Sequence, residues 1–167
     1  WMPLLLALSY ATIGISICAG YHRHYAHPSH ECSRLVEVFY LVAGACSLQR
    51  EVGQWAASHR IHHRFTDTER DPSHTPKGFW WAHIGWVIED RPSIPVAEWP
   101  RDLRENPLVL WQKRWYLPLA FGLGLGIPTL IGWCFGNPLA GLFWGGFTRI
   151  VLLHHSIPTN PTAAPSG

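Results

Sequence analysis

Two long stretches of this chain carry no charge, and they limit what the polypeptide can fold into. Residues 2–19 (MPLLLALSYATIGISICA) run for eighteen positions without Asp, Glu, Lys or Arg, and residues 116–135 (YLPLAFGLGLGIPTLIGWCF) run for twenty. At about 1.5 Å per residue each nearly spans a hydrocarbon core of roughly 30 Å. The Gly and Pro of the second stretch are better tolerated in lipid-embedded helices than in soluble ones. Gly136, Asn137 and Pro138 predict a tight turn. Residues 139–153 then climb back, with Arg149 near the far end, where a long side chain is expected to snorkel to the interface.

The charges are confined between these stretches. Twelve of the thirteen Lys and Arg lie between Arg23 and Arg114, and all eleven Asp and Glu lie between Glu31 and Glu105. A net charge of +2 with both signs mixed offers no single-sign patch, which excludes nucleic acid as a partner class. The turn at 136–138 carries no basic residue, so the positive-inside rule places the basic segment on the cytoplasmic face, of a bacterial inner membrane or of the endoplasmic reticulum. Residues 35–46 contain Glu37 and are too short and polar to span, so they predict an interfacial or core helix. This decides topology, because a crossing there would put the histidines before and after it on opposite faces. Residues 64–114, punctuated by Pro72, Pro76, Pro92, Pro95 and Pro100, read as water-facing with short helices. The fold class expected is all-α integral membrane: transmembrane helices, an interfacial helix and a cytosolic helical cap.

Cys18, Cys32, Cys46 and Cys134 are widely spaced with no C-x-x-C pair, which predicts neither a disulfide framework nor a zinc finger. The chain opens inside an apolar run without a basic leader, and reads as one cut into at its start rather than as a signal peptide. Residues 156–167 hold three prolines and no charge, do not continue the helical pattern, and are expected to form an atypical, disordered tail behind a domain of residues 1–155.

Eleven histidines are many for 167 residues, and two clusters stand out. The first is His22-Arg-His24-Tyr-Ala-His27, followed by His30, where the first apolar stretch ends; the second is His59-Arg-Ile-His62-His63. On a helix turning about 100° per residue, position 63 lies about 40° from 59 and position 62 about 60° to its other side, so three imidazoles share one face. His22 and His27 are about 140° apart on an ideal helix, so both reach one metal only if the helix frays or two metals are shared. Imidazole-rich sites without thiolates suit iron, zinc, copper or nickel, and many histidines with no sulfur lean toward iron doing oxygen chemistry. Single histidines here are ordinary interface residues; the two spaced clusters are not. His24, His30, His74 and His83 lack partners at ligand spacing and fit structural hydrogen bonding better. Asp67, Glu69 and Asp71 either orient the histidines through their free ring N–H groups or form a solvated acidic turn.

The string GYHRHYAH at 20–27 resembles the first histidine box of the membrane fatty-acid desaturases of the acyl-CoA, Δ9 or stearoyl-CoA type, and WAASHRIHHRFTDTERDP at 55–72 resembles the second. GFWWAHIGW at 78–86, NPLVLWQKRWYLPLA at 106–120 and WGGFTRIVLLHH at 144–155 resemble the stretches that follow, in the same order. This resemblance implies an oxidoreductase with a cofactor of two iron ions, using O2 and two electrons to place a cis double bond, at Δ9, in a fatty acyl-CoA chain. His22, His27, His59, His62 and His63 match metal-ligand positions, and Trp55 matches a position that lines the acyl tunnel near its bend. Membrane lipid and an electron donor such as cytochrome b5 or ferredoxin are the further partners implied.

The chain departs from the family pattern in places. The third box, H-N-x-H-H, is not reached, Asn160 is followed by Pro161 where Asn-Ser-x-x-His is expected, and DPSH at 71–74 leaves His74 without a role carried over. The 167 residues by themselves are therefore expected to hold iron poorly. The alternatives are a membrane diiron hydroxylase, an acyl-lipid desaturase, or a non-catalytic membrane fragment; the His-Arg start of the first box favours the acyl-CoA type.

Overall fold

The computed structural model describes residues 1–66, 68 and 93–155, and these are helical with no strand among them. Helix α1 (Met2–Ile15) runs without a break into a π-helical segment, Ser16–Ala26. Next come α2 (Arg34–Ala45), α3 (Val52–Phe65), a 3-10 turn (Val96–Glu98) and α4 (Arg101–Arg104). Helix α5 (Pro107–Leu117) continues as a π-helical Pro118–Leu123 and leads to α6 (Gly126–Cys134). A turn then gives α7 (Pro138–Gly141), a π-helical Leu142–Thr148 and α8 (Arg149–His155). The expected acidic turn at Asp67, Glu69 and Asp71, His74, His83 and the tail 156–167 lie outside the described residues.

Among the described residues two helices are long and apolar enough to cross a membrane, Met2–Ala26 with 25 residues and Pro107–Cys134 with 28. Both outrun the uncharged stretches that announce them. A hydrogen-bond ladder does not stop where charge begins, and the second starts where its cap stands. Asn106 Oδ1 accepts from Leu108 N at 2.9 Å and Val109 N at 3.4 Å, and Pro107 fills the first helical position, where an N–H has no partner to lose. Lys113 and Arg114 therefore ride on the helix instead of preceding it.

Helix α2 has 12 residues, about 18 Å, too short to cross the same core. It packs beside the π-helical segment, and a Cβ on Gly44 would collide with the ring of Tyr21. Gln112, fully buried on α5, ties four elements together. Its amide donates to Tyr21 Oη at 2.5 Å and to Leu41 O at 2.8 Å, and its Oε1 accepts from Val52 N at 2.9 Å, the first residue of α3. Around it Tyr25, Leu41, Val52, Ala56, Trp99 and Leu103 form the core that carries the histidine helices. Glu37 adds a second polar tie, its Oε1 accepting from Tyr25 Oη at 3.1 Å and from Asn106 Nδ2 at 3.0 Å.

The turn after α6 is a Schellman motif: Gly136 has φ +77°, its N–H reaches Trp133 O at 2.9 Å, and Asn137 N reaches Gly132 O at 2.8 Å. Beyond it α6 and α7 meet at backbone distance, since a Cβ on Gly132 would lie 2.7 Å from Gly141 Cα. Close approach through small residues is how apolar helices associate without a hydrophobic drive between them.

Arg149 corrects the sequence reading. Its side chain does not snorkel outward: it is 0% exposed, with Nη1 donating to Cys46 O at 2.7 Å and Nη2 to Gly124 O at 3.1 Å. Cys46 and Gly124 are the C-caps of α2 and of the segment Pro118–Leu123. The Cys46 carbonyl lies at the C-terminus of α2, where carbonyls are unpaired and carry partial negative charge, and the Gly124 carbonyl has Pro128 four residues on, which offers no N–H, so both are free to accept from the guanidinium. The hairpin is thereby fastened to the end of α2, next to the loop that enters α3. In that loop Leu48 and Arg50 adopt positive φ, and Arg50 N is held by Tyr116 Oη at 2.9 Å.

Replacing Gln112 by Leu strands the Val52 N–H and removes the partner of the Tyr21 hydroxyl in a buried site, and is expected to cost about 1–3 kcal/mol. Thermal unfolding in detergent followed by circular dichroism checks this, with Gly141→Val expected to destabilise as well and exposed Leu130→Ala to change little. Equal melting of all four proteins would refute the packing described.

Candidate metal centre

The winding of the first helix brings its two histidines together. From Ser16 the backbone bonds i to i+5, and His27 N donates to His22 O at 2.9 Å. An i→i+5 ladder puts more residues into each turn, so positions five apart fall one above the other. The ring centroids of His22 and His27 are 4.6 Å apart, through this wider winding together with the end of the helix at His27. His27 itself leaves the helix at φ −108°, ψ 15°, which turns its ring toward α3.

On α3, His59 and His63 stand one turn apart with ring centroids at 4.6 Å. The ligand nitrogens of His22, His27, His59 and His63 all lie within 4.8 Å of one another. His59 Nε2 is 3.1 Å from His27 Nε2 and 3.0 Å from His63 Nε2. Two nitrogens each about 2.1 Å from an ion and at right angles around it are about 3.0 Å apart, so these spacings match adjacent ligand positions on one ion. The donor set is all imidazole, which suits iron, zinc, copper or nickel.

His62 does not join the four. Its ring centroid is 6.2 Å from His59 and 5.5 Å from His63. The sequence places 62 and 63 on opposite flanks of 59, and the first helix packs along the flank of 63. The expected face of three imidazoles therefore divides into two that meet the pair from the first helix and one beside them. His24 turns elsewhere: Nδ1 hydrogen-bonds with His30 O at 3.0 Å, and Cys32 Sγ lies 3.8 Å from Nε2. Trp55, one turn before His59, stacks on the His59 ring at 4.9 Å and 17° between planes, and meets His22 edge-on at 6.4 Å.

Burial lowers the pKa of His59 to about 3, helped by the neighbouring His22, His63, His27 and His62. His63 is lowered too, by burial and then by His27 and His62. A neutral imidazole is the form that ligates, so these surroundings keep the donors ready. Sequence spacing did not single out Gln112, Glu37 or Arg60, which hold the two helices in place; a Gln inside an apolar helix and an Arg inside a histidine box were the available signals.

In the metal-free chain an unfolded His59 takes up a proton near pH 6.5, while the folded one resists until about pH 3. The unfolded state binds more protons between these values, so stability falls as pH falls through that window. Unfolding of the metal-free chain at pH 7, 5 and 4 should show a steeper loss than in His59→Phe; parallel losses would contradict the burial account.

Over residues 1–160 the chain matches the fatty acid desaturase family. It is 36% identical over 149 residues to the probable acyl-CoA desaturase of Schizosaccharomyces pombe, covering 88% of this chain and 31% of that protein. It is also 36% identical over 151 residues to the sn-1 stearoyl-lipid 9-desaturase of Anabaena variabilis, covering 90% and 53%. With the stearoyl-CoA desaturase of Sus scrofa it shares 30% identity over 157 residues, covering 90% and 44%. The chain thus spans about a third to half of the length of these relatives. With four histidines from two boxes gathered within 4.8 Å and a match along nearly its whole length, the chain belongs to the fatty acid desaturase family.

Proposed function

We propose that residues 1–155 form part of a membrane-embedded fatty acyl desaturase that introduces a cis double bond, at Δ9, into a fatty acyl-CoA, with O2 as oxidant. The observation that carries this reading is the meeting of imidazoles from two helices at the end of an apolar helix. His22, His27, His59 and His63 would hold one iron ion, and His62, flanking them, would face a second.

A methylene C–H has no acidic proton, so side-chain acids and bases have nothing to abstract. Bound iron supplies the oxidising power for such a bond, drawing on O2 and two electrons. The protein's part is to place the chain and keep water away. Trp55 lies flat on His59, so an acyl chain passing its indole edge would be held beside the ligand nitrogens. The core of Tyr21, Val52 and Ala56 backs the site with apolar surface.

Membrane insertion fits the outer surface, where Leu4, Leu8, Leu117, Leu130, Trp133 and Leu139 are each more than half exposed. In water such a belt would be costly; in lipid it is solvated. The segment between the two long helices, which carries nine of the thirteen Lys and Arg, is then cytoplasmic by the positive-inside rule, within reach of coenzyme A phosphates and of an electron donor such as cytochrome b5 or ferredoxin. An acyl-lipid substrate is the second reading, favoured by the equal identity to the sn-1 stearoyl-lipid 9-desaturase of Anabaena variabilis.

Five imidazoles are fewer ligands than two irons need, so the 167-residue chain is expected to hold fewer than two irons and to turn over no substrate. The same chain joined to a segment carrying H-N-x-H-H is expected to hold two and to convert stearoyl-CoA to oleoyl product with electron donor and O2. Iron quantification and product analysis decide: an alcohol points to a hydroxylase, activity only on lipid-esterified chains to the acyl-lipid reading, and two irons with oleoyl product from the short chain would overturn the ligand count.

A further inference from the structure

Arg60 lies between the two histidines that α3 contributes and reaches away from them. Its Nε donates to Ala26 O at 3.1 Å and its Nη2 to Tyr25 O at 2.5 Å. These are the last two carbonyls of the π-helical segment that carries His22 and precedes His27. Its outer edge is bidentate on Asp102, with Nη1 to Oδ1 at 3.0 Å and Nη2 to Oδ2 at 2.6 Å. We propose that Arg60 is a positioning residue that fixes the register of the first helix against α3, and so sets the separation of His22 and His27 from His59 and His63. The metal-related part of this rests on the reading of those four as ligands; the register part does not.

The argument is geometric. A guanidinium is planar, with its donors in a fixed fork, so bonds from Nε and Nη2 to consecutive carbonyls define an orientation as well as a distance. Those carbonyls end a helix, where they lack partners within it and carry partial negative charge, so a cation there is both satisfied and attracted. Sliding one helix past the other by a single residue moves it about 1.5 Å, beyond what a hydrogen bond of this length tolerates. Metal ligation is stricter still, at about 0.2 Å. Arg60 follows His59 directly, so its hold is transmitted to the ligand nitrogen through one rigid helical turn.

Asp102 contributes differently. Its side chain is 53% exposed against 25% for Arg60, and an ion pair at that exposure adds little by itself. It holds the guanidinium plane in line, while the two carbonyl bonds do the clamping. A lysine at position 60 has one ammonium and no fork, and cannot reproduce both carbonyl bonds at their angles.

The test uses the 167-residue chain in detergent, labelled with 15N in its histidine rings. In the metal-free chain carrying His63→Phe, which removes the competing 3.0 Å approach of His63 to His59, the 3.1 Å approach of His27 and His59 should give a nitrogen–nitrogen coupling across a shared proton, and it is in this background that the coupling is compared with and without Arg60. Arg60→Met is expected to lose this coupling, to weaken Co2+ binding at least tenfold and to shift the Co2+ visible spectrum, with helicity by circular dichroism retained. Arg60→Lys should fall between, and Asp102→Asn should stay within about threefold of wild type. Retention of the coupling, spectrum and affinity in Arg60→Met would overturn the proposal; should Arg60→Met lose its helicity, Arg60→Lys is read by the same criteria. If the wild type takes up no Co2+, the metal reading fails, and the coupling alone judges Arg60.

Discussion

The i→i+5 winding from Ser16 to Ala26 is the constraint on which the arrangement of the site depends, because it sets which way every later side chain of the first helix points. In an α-helical register His22 and His27 would face directions about 140° apart, and one of them would point away from α3. The wider turn, ending at His27, brings their rings edge to face at 4.6 Å and leaves the Tyr25 and Ala26 carbonyls facing Arg60. It also puts Tyr21 inward, where its ring meets Gly44 and its hydroxyl meets Gln112. One change of helical pitch therefore serves the ligands, the seam with α2 and the hold of α3.

Polar groups buried among apolar helices do the remaining organisation. Gln112 satisfies groups on the first helix, α2 and α3 with a single amide. Glu37 joins the end of the first helix to the start of α5, and Arg149 joins the hairpin to the end of α2. Around Gln112 and Arg149 the partners are buried carbonyls, an amide and a hydroxyl with no water to turn to, so leaving them unpaired is expensive, whereas the Glu37 tie is only partly buried. Apolar contact alone would let these helices slide and rotate; the hydrogen bonds specify one register. The outside of the molecule shows the complementary pattern, with large apolar side chains exposed.

Much of this was legible in the sequence. Uncharged length announced the two long helices, the segment at 35–46 announced a short helix, and Gly136-Asn137-Pro138 announced the turn. The histidine spacing identified the elements that meet. Less legible was how they meet. Arg149 near a helix end suggested an interfacial side chain, and is buried because two free carbonyls, Cys46 O at the end of α2 and Gly124 O, converge on it, which no local pattern encodes. His62 looked equivalent to His63 on a helical wheel, and differs because only one flank of His59 faces the first helix.

The sequence by itself determined the helical class, the apolar lengths, the turn and the residue types able to hold a metal, since these follow from local composition and period. Only the tertiary structure decided that four imidazole nitrogens fall within 4.8 Å of one another, and that Arg60, Gln112 and Arg149 hold the helices that carry them. The physical reason is that pitch and inter-helix register are set by buried polar groups from distant positions finding one another, and such pairs have no spacing along the chain to betray them.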